Sequence, residues 1–156
     1  MIIKRQQITG YVALFIAVGL FFYFPKNKLE KIQRSGVLHV LTRVDPTTYF
    51  QSPQGYAGLE HDLVKLFAEQ IGVEAKFEVP DNFGKILDDI STGKADIAAA
   101  GITITQQRKQ VMRFAPAYHE ISEQLVYHAN HRRPKTVNDL DKGILEVASG
   151  TSHVES

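Results

Sequence analysis

The chain has 156 residues, 44% hydrophobic and 22% charged, a balance that supports one moderate core rather than a disordered chain or several large domains. Eighteen Lys and Arg against 17 Asp and Glu leave no basic surplus to attract nucleic acid. The absence of Cys excludes disulfides, thiolate metal sites and a lipid-carrying N-terminal Cys together, while leaving the compartment open.

Lys4 and Arg5 precede an uncharged run from Ile8 to Phe24, which is short for a bilayer span and long for a buried helix in a domain of this size. A basic stretch before an apolar one is the pattern of an export signal, either cleaved or kept as an anchor. The aromatic end Phe21-Phe22-Tyr23-Phe24 argues for retention. The greater number of basic residues after the run argues against a defined orientation in the membrane. Residues 1–28 are therefore expected to be a signal peptide or membrane anchor with its flank.

From Leu29 the chain alternates helix and strand. Leu29 to Arg34 predicts a short helix ended by Ser35-Gly36, and Val37 to Thr42 a strand. Asp45-Pro46 and Ser52-Pro53-Gln54-Gly55 make the next segment a loop. A helix over residues 60–71 is predicted to turn Leu59, Leu63, Leu66, Phe67 and Ile71 inward and to stop at Gly72. Val73 to Val79 reads as the second strand. Asn82 caps a helix facing Phe83, Ile86, Leu87 and Ile90 inward, closed by Gly93. Asp96 to Ala100 is the third strand, followed by a helix at Thr105. Ser122 to His128 reads as extended, Thr136 caps a short helix closed by Gly143, Ile144 to Ala148 reads as a further strand, and Gly150-Thr151-Ser152 opens another helix.

Strand–helix–strand–helix–strand with such short connections predicts an α/β fold with a parallel βαβαβ sheet and right-handed crossovers. Ligands then sit at the carboxyl ends of the strands, here the loops after Thr42 and Ala100. The corner from Asp96 to Lys109 offers backbone amides, the hydroxyl of Thr103 and the guanidinium of Arg108, a set suited to a small anionic ligand. It contains no nucleophile with a base, so its chemistry is binding.

Several motifs together resemble the periplasmic solute-binding proteins of family 3: Gly58-Leu-Glu-His-Asp-Leu63, Gly93-Lys-Ala-Asp96 with Ala100-Gly-Ile-Thr-Ile-Thr105 and Arg108, Phe114-Ala-Pro-Ala-Tyr118, and Ser149-Gly-Thr151. The resemblance covers residues 37 to 154. It implies a periplasmic binding protein type II-like fold, with lobe 1 over residues 29–128 and a hinge and incomplete start of lobe 2 over 129–156. Ile32-Gln with Gly36, Glu123-Gln-Leu-Val-Tyr127 and Arg133-Pro with Thr136 narrow the likeness to the N-terminal section of the membrane-bound lytic murein transglycosylase F family. Members join such a binding domain to a downstream lytic domain that cleaves peptidoglycan glycan strands to 1,6-anhydromuramoyl products. They are exported to the periplasm and associate with the outer membrane.

The resemblance thus implies a ligand-binding module whose catalytic lytic domain lies beyond this chain, with murein reached through that domain. Glu155-Ser156 matches the core of the family's catalytic motif, but it follows the start of the second lobe and is not expected to be catalytic. The alternative is a free-standing family-3 solute-binding protein or sensor domain for an amino-acid-like ligand. On either reading, a chain ending before the second lobe has a core is expected neither to degrade murein nor to bind ligand tightly.

Carried over residue by residue, Arg108 pairs with a ligand carboxylate, Gly101 lets the ligand approach the backbone, Thr103 adds a hydroxyl and Thr151 closes from the second lobe. Where amino-acid binders carry an acidic residue after the first strand, this chain has Arg43, followed by Asp45. Arg43 repels an ammonium and attracts an anion, so the implied ligand has two acidic ends, as a peptidoglycan stem-peptide fragment does; Arg43 pointing to solvent is the alternative. Tyr49, Phe50 and Tyr118 are candidate apolar clamps. His119, His128, His131 and His153 lack ligand spacing, so neither metal nor cofactor is expected. Arg132, Arg133 and Lys135 read as a solvated basic cluster.

Overall fold

The computed structural model describes residues 27–140 and 143–155; the apolar run from Ile8 to Phe24 lies outside them. Among the described residues no helix is long and apolar enough to cross a membrane.

Among the described residues, side-chain caps start three of the four α-helices. The Asn27 carboxamide accepts from the Glu30 amide at 2.9 Å and opens α1 (Lys28–Ser35). Asn82 does the same for Lys85 and opens α3 (Phe83–Ser91), and Thr105 accepts from the Arg108 amide to open α4 (Gln106–Lys109). The remaining helix, α2 (Leu59–Ile71), begins at Gly58 without a side-chain cap.

The predicted three-stranded parallel sheet forms. β1 (Val37–Thr42) lies between β4 (Glu74–Glu78) and β5 (Ile97–Ala99), with Val40 opposite both Phe77 and Ile97. The central strand is the most buried, as its Leu38, Val40 and Leu41 require. Leu38 and Val40 pack with Ile32, Val64, Ala68 and Ala99 on one side, and Leu41 packs with Ile86, Ala95 and Ala100 on the other. Full burial of a side chain such as Leu38 or Ile86 contributes about 1.5–3 kcal/mol. A half-exposed pair such as Lys28–Asp96, at 3.5 Å, contributes about 0–1 kcal/mol. Packing therefore sets the sheet's place.

Three expectations are corrected. The segment after β1 is not all loop: β2 (Phe50–Ser52) and β3 (Gly55–Ala57) form an antiparallel hairpin around Pro53-Gln54. Helix α2 sits at its predicted place with a different face inward. Glu60, His61, Val64 and Ala68 are buried, and Leu59, Leu63, Leu66 and Phe67 face out. Small Val64 and Ala68 let the helix pack into the core beside Leu38 and Val40, while Glu60 meets the Gly101 amide and Tyr118, and His61 meets Asp62. Ile144 to Ala148 forms no strand, and Ile144, Leu145 and Val147 are exposed; a strand needs a neighbour, and none lies beside it among the described residues.

Gly58 has a φ of 143°, and a Cβ there would lie 2.3 Å from the Thr48 carbonyl oxygen. That contact holds the loop after β1 against α2, where Thr48 donates its hydroxyl to the Arg43 carbonyl at 2.7 Å and accepts the His61 amide on its own carbonyl. Gly58→Ala is expected to destabilise the fold by about 2–4 kcal/mol, combining backbone strain with overpacking. A urea-unfolding midpoint unchanged from wild type would refute this.

Candidate functional site

Thr42 at the end of β1 lies opposite Ala99 of β5, so the two strands release their loops side by side. Arg43 leaves one and Gly101 the other. Gly101 takes φ 63°, a left-handed turn open to glycine, and a Cβ on it would sit 3.3 Å from an Arg43 terminal nitrogen. This juxtaposition brings together residues far apart in sequence.

The Gly101 amide donates to the Glu60 carboxylate at 2.9 Å, and the Tyr118 hydroxyl donates to the other Glu60 oxygen. Glu60 is 8% exposed and was not expected at the site. Its spacing with Val64 and Ala68 was the available signal: a carboxylate in line with a buried helical stripe must have partners. Burial, then the Glu60 carboxylate, push the Tyr118 phenol well above its ordinary range.

Arg108 is 3% exposed, and every nitrogen of its guanidinium is engaged. One terminal nitrogen donates to the Thr103 carbonyl at 3.2 Å and the other to the Gly150 carbonyl at 3.1 Å. Nε and the latter terminal nitrogen each lie 2.9 Å from one oxygen of Glu155. The other Glu155 oxygen accepts the Thr105 hydroxyl at 2.5 Å. The corner therefore holds a carboxylate, supplied by the chain itself. Among the described residues the Glu155 carboxylate is held by side chains, and the four-residue α4 is too short to present a developed N-terminus. Removing Glu155 would leave the buried Arg108 guanidinium without its counter-charge, which destabilises the corner.

Residues 150–155 lie across the corner. The Gly150 α-carbon region packs close to Gly84 of α3, where a Cβ would meet backbone atoms at 3.2 Å. The Ser152 hydroxyl donates to Glu123 at 3.2 Å and shares a hydroxyl–hydroxyl contact with Thr103 at 3.3 Å, and His153 Nδ1 lies 3.1 Å from Glu123. The hydroxyl of Thr151, expected on the bound carboxylate, donates instead to the Ala148 carbonyl.

Phe83 neighbours both positive groups, its ring centre 5.6 Å from the Arg43 guanidinium carbon and 5.8 Å from that of Arg108. It was expected only as an inward residue of α3. Arg43 Nε is buried without a hydrogen-bond partner, while a terminal nitrogen of Arg43 lies 3.7 Å from Asp45. Hydrogen bonds from the Thr47 hydroxyl and amide, and then Arg43, hold the Asp45 carboxyl below its usual range.

Arg43, Gly101, Thr103, Arg108 and Tyr118 thus gather around one corner through shared partners. Tyr49 does not join them: its ring stacks on Tyr56 at 4.6 Å and Phe77 at 5.4 Å, on the β4 side of the sheet. Among the described residues no group of acidic residues and His is placed to hold a metal.

Residues 38–152 match the bacterial extracellular solute-binding proteins, family 3. The chain belongs to that family. A curated relative named membrane-bound lytic murein transglycosylase F, from Pseudomonas fluorescens, is 40% identical over 153 residues, covering 97% of this chain and 31% of its own. The chain thus spans about a third of the length of such relatives. Among solved structures, the arginine-bound domain 1 of an arginine-binding protein from T. maritima, in a point variant, matches with a TM-score of 0.53 and 33% identity, over 58% of this chain and 71% of that one. A histidine-bound uptake-transporter substrate-binding protein from Streptococcus pneumoniae shares the fold at a TM-score of 0.53 and 20% identity, over 60% of this chain and 38% of its own. The expected type II periplasmic binding protein architecture is the one found.

The Glu60–Tyr118 contact has a pH signature. The neutral phenol donates to the carboxylate, so its contribution to stability is fully present below tyrosine's ordinary value of about 10 and is lost as pH rises through the higher folded value. Glu60→Gln is expected to bring the Tyr118 titration midpoint down, read from its ring resonances. An unmoved midpoint would mean that Glu60 does not hold it.

Proposed function

We propose that this chain is the ligand-binding module of a membrane-bound lytic murein transglycosylase F-type protein, taking up a small anionic ligand at the corner of Arg108, Thr105 and Gly101. The observation that carries this reading is the carboxylate already seated on the Arg108 guanidinium and the Thr105 hydroxyl. Charge-assisted hydrogen bonds of this kind contribute about 1.5–3 kcal/mol each and select planar acids. The amino acids held by the two structural relatives also present a carboxylate.

On this reading residues 29–128 form the binding lobe, and 129–156 the hinge and the start of the second. Residues 1–28 carry the chain to the periplasm, with outer-membrane association, in line with the membrane-bound designation of the relatives. Cleavage of peptidoglycan glycan strands to 1,6-anhydromuramoyl ends belongs to a further domain of the full protein. Glu155 is occupied by Arg108 and Thr105 and serves recognition here, not proton transfer. Arg43, with its unpartnered Nε and the Phe83 face beside it, takes the second acidic end of the ligand, as a peptidoglycan stem peptide would offer.

A second reading, a free-standing solute-binding protein or sensor domain, is favoured by the arginine-bound single domain from T. maritima. That precedent also weighs against the expectation that a lone lobe cannot hold ligand.

The test is calorimetry of the natural full-length protein with a soluble peptidoglycan stem peptide and with free amino acids. Stem-peptide binding is expected, weakened about tenfold or more by Arg108→Ala. Arg43→Asp is expected to tighten binding of plain amino acids. Stem-peptide affinity indifferent to Arg108→Ala would sink the reading.

A further inference from the structure

Arg108 needs an anion, and the structure supplies one from within. Glu155 stands 47 residues along the chain, yet it places one oxygen on two guanidinium nitrogens and the other on Thr105. Its carboxylate is largely buried, with 18% of the side chain exposed. The turn that delivers it, Ser152–Val154, is tied down by Ser152 on Thr103 and Glu123, by His153 on Glu123 and by the Gly150 carbonyl on Arg108. Glu155 is therefore held at the subsite by a tether with several independent points of attachment.

We infer that Glu155 is an internal ligand of the Arg108–Thr105 subsite, which an incoming acid must displace, so that this residue sets which ligands enter. This rests on the ligand reading above. A tethered group competes at an effective concentration in the millimolar range or higher, and a ligand's apparent affinity falls by the fraction of chains in which the subsite is vacant. An acid whose only strong contact is Arg108 gains little by replacing one carboxylate with another. A ligand bearing a second acid gains a new contact at Arg43, whose Nε is buried and unpartnered and whose guanidinium flanks Phe83. Glu155 thereby favours diacids over single acids, although it lies opposite Arg108 and not at Arg43.

The displaced carboxylate then leaves Arg108 and Thr105 while Ser152 and His153 retain their own partners on Thr103 and Glu123. Ligand entry is a local exchange at Glu155 and does not require the whole segment to lift.

The experiment uses the natural full-length protein, its Glu155→Gln and Glu155→Ala variants, and each combined with Arg108→Ala. A γ-linked Ala-Glu dipeptide, with two carboxylates, and acetate, with one, are titrated into each by calorimetry. Both Glu155 variants are expected to bind the dipeptide about tenfold tighter than wild type and to bind acetate measurably, with Arg108→Ala removing both gains. Without ligand, the Arg108 Nε–H nitrogen-15 resonance is expected to be protected from exchange in wild type and to lose that protection in Glu155→Gln. Equal or weaker binding by the Glu155 variants, with Arg108 still required, overturns the inference and leaves the ligand reading standing. An Arg108 resonance indifferent to Glu155 overturns it as well. If no variant binds either probe, the ligand reading and this inference fall together.

Discussion

A buried guanidinium cannot be left without an anion, and much of this corner answers that demand. Arg108 is almost fully enclosed, so each of its nitrogens must meet an acceptor. The Thr103 carbonyl and the Gly150 carbonyl supply neutral acceptors, and Glu155 supplies the charge. The order of elements serves the same end. Parallel strands β1 and β5 finish side by side, and the chain turns at Gly101 to carry Thr103, Thr105 and Arg108 back across their ends. Thr105 has two duties there, capping α4 through the Arg108 amide and donating its proton to Glu155.

Around that pair the charges alternate. Arg43 and Arg108 both neighbour the Phe83 ring, and Glu60 lies between the Gly101 amide and the Tyr118 hydroxyl. An aromatic ring within 6 Å of a guanidinium attracts it through its negative face, so Phe83 gives both positive groups a shared apolar neighbour.

The order of helices and strands, the parallel sheet and the corner after Ala100 were legible in the sequence because they follow from local signals: short apolar runs, Asn and Thr caps, and Gly at the stops. Arg108 was legible as a candidate, but its partner was not, since nothing local links it to a carboxylate 47 residues away. The inward face of α2 was misread for a related reason. Leu59, Leu63, Leu66 and Phe67 make as good a helical stripe as Glu60, Val64 and Ala68. The choice fell to contacts across the chain: Glu60 with the Gly101 amide, and Val64 and Ala68 against β1. Tyr49 stands just before the hairpin, and its ring joins a stack with Tyr56 and Phe77 that only the folded chain brings together.

The outward face of α2 has a consequence for handling the protein. Leu59, Leu63, Leu66 and Phe67 share the outer side of the helix, exposed to water, on a chain whose formal net charge is only +1. Long-range repulsion between copies is weak at that charge, and a line of leucines with a phenylalanine gives neighbouring molecules something to adhere to. Colloidal behaviour should therefore depend more on this stripe than on the Arg108 corner. Lysine or glutamate placed along it would improve solubility while leaving the sheet and the Arg108 corner, on the helix's other side, undisturbed.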